Sequence, residues 1–345
     1  MSKRKLNRRQ QWRIEKIQAE KTARAEKKQR KLGEEVLGGE LGAEQRGLII
    51  AHFGQSLDVE ALEGESKGEI FRCFVRANID ALVTGDKVIW RPGTDNSGII
   101  EARLDRDSLL QRPDNYGQLK PVAANVGRIL IVVAPEPTPF ANLIDRYLVA
   151  AETTDIEPVI LFNKSDLINE DNKAFIHGLI DTYKELGYEV LLTSANDQAS
   201  CATELSEWLA DHTSVFVGQS GVGKSSLIRS ILGDQTIRVG ELSENTRKGT
   251  HTTTTAKLFH LPSGGRLVDS PGIREFGLWH ITEEELLEGF IEFRPFIGYC
   301  RFRDCKHEQE PQCAIQQALE DGKISETRMQ SYRHILSTLD EIETY

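Results

Sequence analysis

Gly218-Gln219-Ser220-Gly221-Val222-Gly223-Lys224-Ser225 is the stretch whose residue types and spacing promise chemistry most directly. It fits the phosphate-loop pattern GxxxxGK[ST]. Val215-Phe216-Val217 leads in as a buried strand, and Ser226-Leu227-Ile228-Arg229-Ser230-Ile231-Leu232 leads out as a helix that Gly233 is placed to end. Glycines let successive backbone N–H groups converge on an anion, and a helix N-terminus adds a favourable dipole. The loop from Gly218 to Ser226 is therefore expected to cradle the phosphates of a nucleotide. Lys224 would contact the β- and γ-phosphates as part of the catalytic apparatus, and Ser225 would ligate Mg²⁺.

A base-reading set lies upstream. Asn163-Lys164-Ser165-Asp166 follows the apolar run Pro158 to Phe162, and Thr193-Ser194-Ala195-Asn196 follows Glu189 to Leu192. Guanine offers N1–H and N2–H₂ as adjacent donors, and one carboxylate, Asp166, can accept both. Adenine would set a lone pair against that carboxylate, and discrimination built on paired buried polar groups reaches about 10⁴-fold. Asn163 is expected at the N7/O6 edge, the Lys164 stem over the ring, and the Ala195 N–H on O6, with Ser194 in the same turn. The plainer role for Asp166 is a helix N-cap. Downstream, Thr252 to Thr255 precede a hairpin, Ala256–Leu261 and Arg266–Val268, that ends in Asp269-Ser270-Pro271-Gly272. Asp269 would assist Mg²⁺, Gly272 would offer an N–H to the γ-phosphate, and Thr253 would complete the magnesium shell.

The elements that must position these residues alternate. Strands at 128–134, 158–162, 189–192 and 215–217 are separated by helices at 142–151, 173–186 and 202–210, which predicts a parallel sheet covered on both faces. Ligands of such sheets bind beyond the strand carboxyl ends. Before it, short strands at 48–53, 70–75, 86–90 and 98–103 predict a small OB-like barrel. Phe71, Phe74 and Trp90 are either base-stacking platforms on that barrel or its core. Cys300, Cys305, His307 and Cys313 form CxxxxCxHxxxxxC, a ligand set for one structural tetrahedral Zn²⁺. Arg301, Arg303 and Lys306 beside it could meet phosphates. Helices are expected at 283–292 and over 314–340. The net charge of −10 argues against nucleic acid, but residues 1–31 hold thirteen lysines and arginines against three glutamates, so an arm of +10 precedes a body of −20. No apolar run approaches the roughly 20 residues of a membrane span, and no signal-peptide pattern is seen, so a cytoplasmic protein without a membrane partner is expected.

Motifs in the order NKSD, SA, phosphate loop, threonine run, DSPG are circularly permuted relative to ordinary GTPases. With an N-terminal barrel and a C-terminal metal cluster, the chain resembles the ribosome small-subunit-dependent GTPase A family. The chain is expected to have four parts: a basic arm and linker (1–44), about which the resemblance implies nothing, then an OB-like barrel (45–115), a central α/β P-loop GTPase domain of permuted motif order (116–280) and a mostly helical zinc-binding domain (281–345). The resemblance implies that the protein binds the small ribosomal subunit and its rRNA late in maturation and hydrolyses GTP to GDP there; a monomer is expected. Ile273 stands where signalling GTPases place a water-orienting glutamine, and the resemblance points to His251 as the catalytic group instead. Thr250 stands where the family often has arginine, which leaves Arg247 or Lys248 as substitutes. The segment 273–280 is expected to carry nucleotide state into the zinc-binding region. Two other readings compete: an RNA-binding assembly protein whose nucleotide site senses occupancy but catalyses weakly, and a P-loop kinase.

Overall fold

The computed structural model describes residues 41–53, 56–76, 79–113, 118–194, 203, 205, 208–232, 256–269 and 281–342. They form two compact units. The first runs through Leu82 and from Asp86 to Asp105; the second comprises Val83–Gly85 and the chain from Arg106 onward.

The first unit is a closed barrel of β1 (Gln45–Phe53), β2 (Ser56–Ala61), β3 (Ile70–Val75), β4 (Lys87–Pro92) and β5 (Ser97–Arg103). The pairing runs β1-β2-β3-β5-β4 and returns to β1, with β3 and β5 parallel and every other pair antiparallel. Closure leaves no open sheet edge, and the strand count is that of the OB-like barrel expected from sequence. The strand β2 was not legible: Ser56-Leu57-Asp58-Val59-Glu60-Ala61 alternates correctly but ran together with the turn after it. Trp90 is wholly buried and lies against Gly47 and Gly98, where an added Cβ would come within 2.7–2.8 Å of its ring. Its ring meets that of Phe71 at 4.7 Å. Phe71, Phe74 and Trp90 are thus core residues, and the stacking role considered for them is corrected. Among the described residues of this unit the exposed aromatic is Phe53, with the Arg72 guanidinium 4.7 Å above its ring.

The second unit opens with the hairpin β6 (Leu109–Pro113) and β7 (Leu119–Ala124). Then come β8 (Arg128–Val133), β9 (Glu157–Phe162), β10 (Glu189–Leu192), β11 (Thr213–Val217), β12 (Lys257–His260) and β13 (Arg266–Asp269). Within this unit the sheet order is β10-β9-β8-β11-β13-β12, parallel but for β12. Arg-Ile-Leu-Ile-Val-Val in β8 is a near-continuous apolar run buried on both faces, as a central parallel strand requires. The helices α1 (Ala141–Glu152), α2 (Lys173–Glu185) and α3 (Lys224–Leu232) connect these strands. Leu227, Ile228, Ile231 and Leu232 of α3 pack on Leu130, Val132, Phe216 and Leu267 of the sheet.

Beyond residue 280 stand α4 (Glu283–Gly289), α5 (Ala314–Glu320) and α6 (Glu326–Ile342), in the same unit as the sheet. Thr282 and Glu285 form a reciprocal capping box at the start of α4. The sequence suggested a helix as far as residue 292; α4 stops at Gly289, where a Cβ would lie 2.4 Å from Val149 Cγ1. Gly322, at φ +71°, divides the expected 314–340 helical region in two. No described helix is long and apolar enough to cross a membrane.

Candidate functional site

Four strand ends meet on one edge of the parallel sheet. β9 runs into Asn163, β10 into Thr193 and Ser194, β11 into Gly218, and β13 ends on Asp269. The register pairs Val215 with Val268, so Asp269 is level with the end of the strand that feeds the glycine loop. The guanine turn and the phosphate loop touch: Asn163, wholly buried, donates its side-chain amide to the Val222 carbonyl at 2.8 Å. Sequence reasoning missed this stitch between the two motifs, because nothing in a linear pattern links residues 59 positions apart.

The glycines are explained by close approach. At Gly218 (φ +133°) an added Cβ would stand 2.2 Å from the Val132 carbonyl oxygen, and at Gly223 (φ +98°) 2.3 Å from the Asn163 amide nitrogen. Lys224 is nearly buried, and its ammonium donates to the carbonyls of Gly218 and Gln219, the latter at 2.8 Å. It is thereby held on the inner side of the loop. We expect Gly218→Ala to weaken GTP binding by at least about tenfold, about 1.4 kcal/mol, since the obstacle is backbone. Equilibrium binding of a fluorescent GTP analogue checks this, with Gly264→Ala on the β12–β13 turn, also at positive φ (+101°) but in open space, as the control for backbone strain.

The guanine turn is shaped locally. Lys164 adopts the left-handed conformation at φ 57°, and its ammonium donates to the Glu136 carbonyl at 2.8 Å. Asp166 is exposed on the 3₁₀ turn Ser165–Leu167, and the Ser194 hydroxyl donates to its Oδ1. The Ser165 N–H donates to the Thr193 carbonyl at 3.0 Å, so the two expected base-reading loops form one surface. The residue at the N-cap of that turn is Lys164, with Asp166 inside its first turn. Ala195, His251, Thr253 and Gly272 lie outside the described residues, as do Arg247, Lys248 and the segment 273–280. Ser225 in the first turn of α3 and Asp269 offer oxygen donors of the kind magnesium takes.

The cysteine–histidine cluster also comes together. Cys300 Sγ is 3.5 Å from His307 Nδ1 and 3.8 Å from Cys313 Sγ, and His307 Nδ1 is 3.4 Å from Cys313 Sγ. With Cys305, all four ligand atoms lie within 4.8 Å of one another. Ligands about 2.3 Å from a common centre at tetrahedral angles stand about 3.8 Å apart, so the residues fit one metal ion. The sulfurs are too far apart for a disulfide. Backbone N–H groups of Ala314 and Gln316 donate to Cys300 and Cys313; burial raises the Cys313 pKa, and the Gln316 contact works against that rise. Burial lowers the His307 pKa, which keeps the imidazole neutral and able to ligate. Beside the cluster, Tyr299 is 78% and Phe302 41% exposed, and the Arg301 guanidinium lies 5.5 Å above the Phe302 ring.

Comparison with known proteins agrees with this geometry. Residues 103–279 match the family model described as RsgA GTPase. The chain is 60% identical over 342 residues, 99% of this chain and 97% of the relative, to a protein of Marinobacter nauticus named "Small ribosomal subunit biogenesis GTPase RsgA". A protein of the same name from Hahella chejuensis is 60% identical, with 99% of this chain and 98% of that one covered. Among solved structures, YjeQ from Thermotoga maritima is similar with TM-score 0.69 and 32% identity, covering 88% of this chain and all of that one. YloQ, titled a circularly permuted GTPase, is similar with TM-score 0.69 and 31% identity, covering 87% and 96%.

Proposed function

The chain belongs to the RsgA GTPase family, and from that membership we propose that it hydrolyses GTP on the small ribosomal subunit late in the subunit's maturation. It is a GTP hydrolase of small-subunit biogenesis. The observation that carries the assignment of its site is the Asn163–Val222 hydrogen bond, which brings base-reading and phosphate-holding loops together.

In this reading Asp166, held by Ser194, accepts the two guanine donors, and the Lys164 stem covers the ring, with Ala195 on O6. The N–H groups from Gly218 to Ser226 and the Lys224 ammonium hold the phosphates. Lys224 stabilises charge as the γ-phosphoryl transfers to water. Mg²⁺, held by Ser225 and Asp269 with Thr253, would neutralise charge between the β- and γ-phosphates. Gly272 offers its N–H to the γ-phosphate. Ile273 cannot orient water, so hydrolysis off the ribosome is slow and His251 supplies the missing group. The ion held by Cys300, Cys305, His307 and Cys313 is a structural Zn²⁺, since three thiolates and a neutral imidazole fill all four positions. The exposed pairs Phe53–Arg72 and Phe302–Arg301 support rRNA contact by both the barrel and the metal-bearing region. The protein acts as a cytoplasmic monomer.

Turnover of GTP with and without purified small subunits tests the proposal. The expected result is stimulation by at least about tenfold, toward the 10³-fold or more that trans-acting groups bring to GTPases. Equal rates would favour an RNA-binding assembly protein that senses nucleotide and catalyses weakly.

A further inference from the structure

Arg328 of α6 is 1% exposed. Its Nε and Nη2 donate to the two carboxylate oxygens of Glu292 at 2.6 and 3.0 Å. Its Nη1 donates to Asp145 of α1, and its guanidinium lies 4.3 Å over the Phe290 ring. Asp145 is wholly buried and also accepts from the Tyr183 hydroxyl of α2 at 2.7 Å. One carboxylate therefore joins three helices.

Two of those helices border the nucleotide loops. Ile144, next to Asp145, shares a small cavity wall with Pro137, Phe140, Gly218, Gln219 and Val222. The carbonyl of Glu136, in the segment leading into α1, receives the Lys164 ammonium. The α2 helix comes after the guanine turn, with the Asn172 amide donating to the Leu167 carbonyl at 3.0 Å. The third helix, α6, belongs to the metal-bearing region. Stability alone does not call for charges here, because buried ion pairs are commonly replaced by apolar groups without loss. A bidentate guanidinium does fix one relative placement of the helices, where an apolar contact could slide.

We infer that Arg328, through Asp145, couples α6 to the guanine-nucleotide site: this ion pair makes α6 part of the same cooperative unit as the phosphate and guanine loops. Nucleotide binding is then felt at the metal-bearing helices through α1 and α2, separately from the segment 273–280.

The test uses the full chain and a triple variant, Asp145→Leu, Glu292→Gln, Arg328→Met, which removes the charges together; Tyr183 keeps the Ala141 carbonyl at 3.3 Å. Hydrogen exchange is measured with GDP alone as the probe. In the parent, GDP at about 100 times its Kd slows exchange in α6 by about 100-fold, the factor expected of amides in the ligand-stabilised unit. In the variant GDP still binds, and the α6 response falls below about tenfold. Arg328→Lys, which keeps charge but loses the fork, gives an intermediate response and stands in if the triple variant does not fold. An undiminished response in the variants, or no response in the parent, overturns the inference. A second readout rests on the proposed stimulation by small subunits: the variant loses it by roughly fivefold or more with subunit-free turnover unchanged. If the parent itself is not stimulated, the functional proposal fails and the exchange result still decides this one.

Discussion

Asp166→Asn lowers GDP affinity by about 10²–10⁴-fold, the loss of two charge-assisted hydrogen bonds at about 1.5–3 kcal/mol each, and turns base preference toward xanthine. Guanine presents two donors on this edge, N1–H and N2–H₂. Xanthine presents N1–H and a carbonyl. A carboxylate offers two acceptors and suits guanine; a carboxamide offers one acceptor and one donor and suits xanthine. The turn that carries the side chain should survive the change, because Lys164, Ser165 and Asn163 hold it through Glu136, Thr193 and Val222 rather than through Asp166. Competition of GDP, xanthosine diphosphate and ADP against a fluorescent guanine nucleotide measures the preference. Unchanged selectivity for guanine would remove Asp166 from the base-reading role. Ser194→Ala provides a graded companion, since the Ser194 hydroxyl orients the carboxylate without replacing it; a loss of a few-fold is expected, in line with about 1 kcal/mol for one such hydrogen bond.

How much of the molecule was legible in its sequence depends on how local each signal is. The glycine loop, its strand and its helix lie close together along the chain, and the structure places all three as the pattern predicts. The parallel strands were readable because β8, β9 and β11 are buried on both faces along most of their length and carry continuous apolar runs there. The barrel strands are harder to read. β2 carries Ser56, Asp58 and Glu60 between its core residues, and its turn to β1 is short. The β6–β7 hairpin was missed because Leu109-Leu110-Gln111-Arg112-Pro113 has only its first two residues to mark it, and a proline to argue against it. Aromatic residues misled in the opposite direction. Whether Trp90 faces in or out depends on Gly47 and Gly98, 43 and 8 residues away, which clear the space it fills. The links that matter most for the site, Asn163 to Val222 and Arg328 to Asp145, span 59 and 183 residues. No periodicity or motif encodes such pairings; only the strand order brings them together.

Removing the metal should separate the two chemical centres. Among the described residues between Ile297 and Ala314, Cys313 is the only buried one, so the loop has little apolar matter of its own to hold it. Its shape depends on His307 and Gln312 in left-handed backbone conformations, which only a fixed cluster justifies. Zinc binding contributes about 10–16 kcal/mol in small domains that depend on it wholly. Here α5, α6 and the link between them also bury Ile315, Ile324, Met329 and Ile335, so part of the region should stay folded without the ion. Cys300→Ser is therefore expected to weaken zinc binding by about 10²-fold or more, in the range seen when a metal site loses even supporting partners, and to expose the loop from 298 to 313 to proteolysis. GTP turnover without subunits should change little, since the hydrogen bonds described for the phosphate loop and guanine turn run to Val222, Glu136, Gly218 and Gln219 rather than to the cluster. Stimulation by subunits should fall, because Tyr299, Phe302 and Arg301 lose their fixed placement. Zinc content by elemental analysis, limited proteolysis and the two turnover rates give four independent readings. Loss of subunit-free turnover together with zinc would mean that the cluster supports the nucleotide site itself and does more than fix the loop that carries Tyr299, Arg301 and Phe302.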